Sequence, residues 1–246
     1  MELLTKQEED AGDDEYNISR AAYQCLQLYS ACVGGLVINH VLQFVEQNLR
    51  HEDWRLRDAA VSAFGAIMEG PDFKLLDPLV KQALPILVGM MNDKVLMVKD
   101  SAAYALGRIC ECCGPAIDPE LHLPSLIQAL FSGLKDSPKM ASSCCWALIN
   151  LADRFGIENE EEPPLSKYFK DSVSALLAAT ERYVYSIASP VIALRLVKSG
   201  IRLNFPVLSD QMQTTNCEQL ATKYSTRLSL MSDKTSYPPS HNCALS

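Results

Sequence analysis

Three stretches of this chain repeat one another without a gap. RDAAVSAFGAI (57–67), KDSAAYALGRI (99–109) and ASSCCWALINL (141–151) are spaced 42 residues apart each time. A fourth, RAAYQCLQL (20–28), lies in register 38 residues earlier. The register runs Ala22, Ala60, Ala102, Cys144, then four residues on Leu26, Phe64, Leu106, Leu148. Residues four apart share one helix face, so each stretch presents a small residue for close approach and a large one to fill the core. A second helical pattern lies between them, at Leu36–Asn48, Leu79–Met91 and Leu123–Leu134. Gly70-Pro71, Gly114-Pro115 and Pro163-Pro164 fall where successive pairs would join. Helix pairs with a period of roughly 40–47 residues are the mark of HEAT and armadillo arrays. The expected fold is therefore all-α, a solenoid of about four helix pairs whose core is continuous along one dimension.

An Asp precedes each of the last three repeat helices, at 53, 93 and 136. The expectation for these acids and for Arg57 and Lys99 is that they tie neighbouring repeats together. Leu56, Val98 and Met140 then share one apolar position.

Composition narrows the class of partner. The chain is 48% hydrophobic over 246 residues, ample for a core. Residues 1–186 hold 27 Asp and Glu against 16 Lys and Arg, a net of −11, while residues 187–246 hold 3 against 6, a net of +3. An acidic body argues against nucleic acid or an anionic membrane and for a basic partner. The uncharged run Ala21–Val45 is long enough to raise the question of a membrane span, but Gly34-Gly35 divides it and several polar residues interrupt it, so two helices are expected. The nine cysteines sit mostly inside helical patterns beside Ala and Leu, as core residues of a reducing compartment, cytosol or nucleus. Ser142-Ser-Cys-Cys-Trp146 superficially matches a cysteine-protease nucleophile, yet no later His but His241 could serve it. Cys110, Cys112 and Cys113 with His122 lack the spacing of a zinc site. No phosphate loop or cofactor motif is present, so no cofactor and no enzyme activity are expected.

Six of the eight residues from Glu8 to Glu15 are acidic, and the run ends on Tyr16. Taken alone it reads as a solvated loop. In the register of the repeats, Tyr104 and Trp146 stand 42 apart and the third equivalent is the polar Ser62. One turn further on are Arg108 and Asn150. This pattern marks an outward-looking ridge on the repeat helices.

TKQEEDAGDDEYNIS, FVEQNLRHEDWRLRDAAVSAFGAIMEGPD, VKDSAAYALGRICE and CCWALINL together resemble the importin-β family of karyopherins over about residues 3–182. The resemblance implies a nuclear import receptor segment, working between cytoplasm and nucleus and at the pore. It implies that the acidic loop, here Glu8, Glu9, Asp10, Asp13, Asp14 and Glu15 followed by Tyr16, meets the GTPase Ran and lies near the basic importin-β-binding helix of importin-alpha. It further implies that rings at Tyr104 and Trp146 grip that helix or a basic nuclear localisation signal, with Asn150 beside them. Tyr replaces the family's Trp at 16 and 104. Nucleoporins are partners through repeats that have no counterpart here. The expected organisation is an acidic loop over 1–16, a HEAT array over 17–182 and a divergent, partly disordered tail over 183–246, in a fragment or truncated product. The competing readings are a generic HEAT scaffold and a product without function.

Overall fold

The computed structural model describes residues 1–7, 17–155 and 164–182. The acidic run and the tail from 183 lie outside these residues. A short 3-10 turn, Glu2–Thr5, is followed by eight α-helices: α1 (Ile18–Val33), α2 (Ile38–Asn48), α3 (Trp54–Ala66), α4 (Phe73–Met90), α5 (Leu96–Cys112), α6 (Leu123–Gly133), α7 (Pro138–Phe155) and α8 (Phe169–Arg182). They form two rows. Along one row α1 packs on α3, α3 on α5 and α5 on α7; from the other row α2, α4 and α6 each pack on the helix that follows. Three complete pairs, α2–α3, α4–α5 and α6–α7, stand between α1 and α8. This is the HEAT-type α-solenoid that the 42-residue period predicts.

The odd-numbered helices approach each other far more closely than the even-numbered ones. The stack must therefore bend toward the odd row, which becomes its concave side. Small side chains make the approach possible: Ala59, Ala60, Ala63, Ala102, Ala103, Ala105 and Ala147 are essentially inaccessible. Phe64, Leu106, Ile109, Leu148 and Leu151 fill the space between them. From the other row Val41, Leu76, Leu84, Leu87, Leu126 and Leu130 close the core.

The turns within pairs carry the acids. Asp53 caps α3, its Oδ1 accepting from Arg55 N at 2.9 Å. Asp93 Oδ1 accepts from Val95 N, and the same carboxylate takes both arms of Arg57, Nε and Nη2, at 2.9 Å each. Burial works against ionisation of Asp93, but Arg57 and the backbone N–H groups outweigh it, holding the carboxyl below its ordinary range. Lys99 pairs with Asp136 one repeat on. Asp93 and Asp136 thus tie repeat to repeat, as expected from their positions, whereas Asp53 caps its own helix.

The start of α4 differs from the sequence reading. The helix expected from Leu79 begins at Phe73, because Asp72 accepts from Lys74 N at 2.8 Å and starts it there; Pro78 and Pro85 are carried inside. Residues 18–48 together are long enough to cross a bilayer and contain an 18-residue window with a mean hydropathy of 1.5. Gly34 interrupts them: its φ of +59° ends α1, a conformation that costs glycine least. α2 then turns Ile38, Val41 and Val45 into the shared core, while α1 packs against that core through the partly buried Ala22, Tyr23, Leu26 and Val33, so the run is two helices.

Candidate concave binding surface

Tyr104 on α5 and Trp146 on α7 stack with ring centroids 5.3 Å apart and planes 25° from parallel. Tyr104 is 40% exposed and Trp146 half-buried. Tyr23 on α1 also meets Tyr104, edge to face, centroid to centroid 5.7 Å at 75°. α3 lies between α1 and α5 in the row, and its residue in the Tyr104 register is Ser62, whose Oγ lies 3.4 Å from Ser101 Oγ. Offset-stacked and edge-to-face contacts are both favourable ring geometries, so the three rings form a continuous aromatic strip along the concave row.

Trp146 rests on Gly107. A Cβ at that position would sit 2.4 Å from a ring carbon of Trp146, so the ring occupies the place of the missing side chain. Asn150 locks the same junction, its Nδ2 donating to Gly107 O at 3.2 Å. One N–H is used in the α5–α7 contact, leaving Oδ1 and the second N–H for a partner.

Arg108, expected on the exposed ridge, is 6% exposed. Its Nη2 reaches Glu69 at 2.7 Å, and its Nη1 reaches Glu111 at 2.6 Å. Burial is the largest single influence and would lower the guanidinium; the Glu69 bond, with Cys112, Tyr23 and Glu111 acting in the same sense, outweighs it and raises the guanidinium, while the Arg108 hydrogen bond lowers the Glu69 carboxyl. Glu69 also accepts from Gln27 Nε2 at 3.4 Å, and its backbone oxygen accepts from Ser30 Oγ at 2.9 Å. Tyr104, Arg108 and Glu111 follow one another at helical spacing, so the two half-exposed carboxylates continue the face that bears the rings.

Tyr104, Trp146 and Asn150 are thus brought together on one face. Glu8, Glu9, Asp10, Asp13, Asp14, Glu15 and Tyr16 lie outside the described residues. Sequence reasoning did not find Tyr23, Gly107, Glu69 or Glu111. Gly107 carried a signal, a glycine inside a helical repeat one turn from Tyr104, whereas Tyr23 is one register position off Tyr104 and carried none.

Cys144 and Cys145 are unsuited to catalysis. Burial pushes the Cys145 thiol up to about 12 and Cys144 further still, opposite to what a thiolate nucleophile needs. Among the described residues no group of three His, Cys, Asp or Glu could hold a metal.

The family described as HEAT-like repeat matches residues 54–109 and 97–151, and the family described as Importin subunit beta-1-like, TPR repeats matches residues 125–189. Importin subunit beta-1 of Schizosaccharomyces pombe is 45% identical over 183 residues, covering 74% of this chain and 21% of that protein. A crystal structure of importin beta in an ammonium sulfate condition superposes with a TM-score of 0.73 at 55% identity, covering 80% of this chain and 23% of that one. A structure of Kap95p, titled for inducing the switch loops of RanGDP to adopt the GTP-bound conformation, superposes with a TM-score of 0.78 at 37% identity, over 85% of this chain and 24% of that one. The chain therefore spans roughly a fifth of the length of these importins, which are carriers rather than enzymes. In sequence and in fold, it belongs to the importin-β family.

Proposed function

We propose that this chain acts in nuclear protein import by holding a Lys- and Arg-rich helix, that of importin-alpha or a basic localisation signal, on its concave face. The observation that carries the reading is the Tyr104–Trp146 stack. It offers a flat, half-exposed aromatic surface on the side toward which the solenoid bends, in a region of net −11 charge. Each ring covers one face of the other, so a guanidinium or ammonium has only the uncovered face and the edges of the pair. An aromatic–cation contact there contributes roughly 0.5–2 kcal/mol. Exposed acid–base pairs contribute about 0–1 kcal/mol each and mainly speed encounter. Glu8, Glu9, Asp10, Asp13, Asp14, Glu15 and Tyr16 supply that attraction in this reading, and Asn150 accepts a hydrogen bond at the rim. Contact with Ran rests on the family's resemblance and on the Kap95p–RanGDP relative.

The test is a titration of the full chain with a basic importin-alpha helix peptide, on wild type and Trp146→Ala. Weakening by about 1–2 kcal/mol, five- to thirtyfold, is expected. Equal binding by both removes the rings from the site. A folded chain that binds no basic peptide is a scaffold instead.

A further inference from the structure

The segment Met1–Gln7 is pinned to the first two helices of the concave row. Leu4 is buried in the core at 1% exposure. Ser19 Oγ donates to Leu4 O at 3.0 Å, and Arg55 Nε donates to Gln7 O at 3.5 Å. At the end of the segment the Gln7 side chain enters the protein, 7% exposed, and meets Asp58 of α3, which is 4% exposed. Gln7 Nε2 donates to Asp58 Oδ2. The other half of each group, Gln7 Oε1 and Asp58 Oδ1, is buried without a hydrogen-bond partner.

With Asp58 ionised, both leftover atoms are acceptors. Two idle acceptors in a dry site are costly. A single proton on Oδ1 removes both defects at once: Oδ1–H donates to Gln7 Oε1 while Nε2 continues to donate to Oδ2. Amide and carboxylic acid then close a ring of two antiparallel hydrogen bonds. We propose that Asp58 keeps its proton in the folded protein and that the Gln7–Asp58 pair is a pH-sensitive latch holding Met1–Gln7 on α3.

The surroundings favour the neutral acid. Burial is the largest influence and pushes the carboxyl up to about 7, with Asp100 of α5 pushing the same way. A hydrogen bond from the Ser101 side chain of α5 to the Asp58 carboxyl, the charge of Lys139 on α7 and the Gln7 bond pull it back without reversing the direction. Arg55, on the same helix, is directed at the Gln7 carbonyl. In the unfolded chain an aspartate loses its proton near 4. The latch therefore contributes fully below about pH 4, weakens as pH rises toward 7, and is open above it. Gln7 directly precedes the acidic residues 8–15 in sequence, so the latch governs the end from which that run departs.

Two measurements on the full chain test this. Carboxyl carbon NMR, with Asp58 assigned through Asp58→Asn, should find Asp58 titrating near pH 7; a midpoint below pH 5 overturns the proposal. Trypsin cleavage after Lys6, normalised at each pH to an unstructured reference peptide, should rise several-fold in wild type between pH 6 and 8.5. Asp58→Asn places an N–H donor where the acid proton sits, so its cleavage should stay slow at every pH, and Gln7→Met should be cut rapidly at every pH. A flat wild-type profile, or Asp58→Asn cut as fast as Gln7→Met, sinks the latch.

Discussion

Trp146 can lie flat against Tyr104 because Gly107, one helical turn along α5 from Tyr104, has no side chain to hold it off. A residue that touches no partner thereby sets the shape of the surface a partner would meet.

Gly107→Ala should consequently mimic Trp146→Ala in peptide binding. The added methyl must displace the indole, at an overpacking cost of about 1–3 kcal/mol, while the better helix propensity of alanine returns about 1 kcal/mol. Peptide affinity should fall by about 1–2 kcal/mol with little loss of helix signal. Tryptophan fluorescence and the peptide titration are read on the same sample. Unchanged affinity together with shifted fluorescence would place the grip elsewhere than on the ring stack.

Neutralising Asp13, Asp14 and Glu15 to their amides should act on rate rather than on grip. Exposed charges steer association and are screened within about 10 Å at 0.1 M salt. Stopped-flow mixing with the basic peptide should give a slower on-rate at low salt and a flatter salt dependence, with the off-rate nearly unchanged. An off-rate change that dwarfs the on-rate change would assign these acids a direct clasping role.

Asp93 joins two repeats through Arg57 and also holds the turn before α5 by accepting from Val95 N. Asp93→Ala should cost about 2 kcal/mol, a charge-assisted pair plus a turn hydrogen bond. Loss of the more exposed Asp136 partner of Lys99 should cost about 0–1 kcal/mol. The Asp93 carboxyl is held below its ordinary range, so its contribution is present above about pH 4 and disappears as pH falls through the folded value. Urea midpoints of wild type and Asp93→Ala should accordingly converge in acid; a constant gap down to pH 2.5 would contradict the ion-pair account.

Asp100 works in the opposite sense. Burial lifts its carboxyl to about 6, with Lys139 and the Ser137 hydroxyl, 3.3 Å from Oδ1, opposing the shift. The folded chain holds this proton where the unfolded chain has lost it, so stability declines as pH rises from about 4 to about 6. Asp100→Asn keeps the Ser137 bond and should flatten that decline, gaining about 1–2 kcal/mol at pH 8. A residual slope belongs to Asp58. Denaturant titrations across pH 4–8 check it, and an Asp100→Asn chain less stable than wild type at pH 8 would refute it.

What the sequence by itself determined is what repeats. The small-then-large register, Ala60 with Phe64 and Ala102 with Leu106, implies helices of 3.6-residue period that can stack closely, and the 42-residue spacing implies that each stacks on its own copy. Because neighbouring copies meet in equivalent ways, Arg57–Asp93 and Lys99–Asp136 could be anticipated from their shared offsets, 36 and 37 residues. The break at Gly34 was legible for the same local reason. What only the tertiary structure decided lies outside the register. Tyr23 reaches Tyr104 across an intervening helix, a contact that depends on how far the row bends. Arg108 occupies a position whose counterpart is Asn150, yet it is buried because Glu69, from the loop after α3, comes within reach. Gln7 finds Asp58 51 residues on, with no periodicity to announce it. A repeat fixes neighbours through spacing; contacts that skip a helix or join a terminal segment depend on interhelical distances, which are settled only when the whole stack packs.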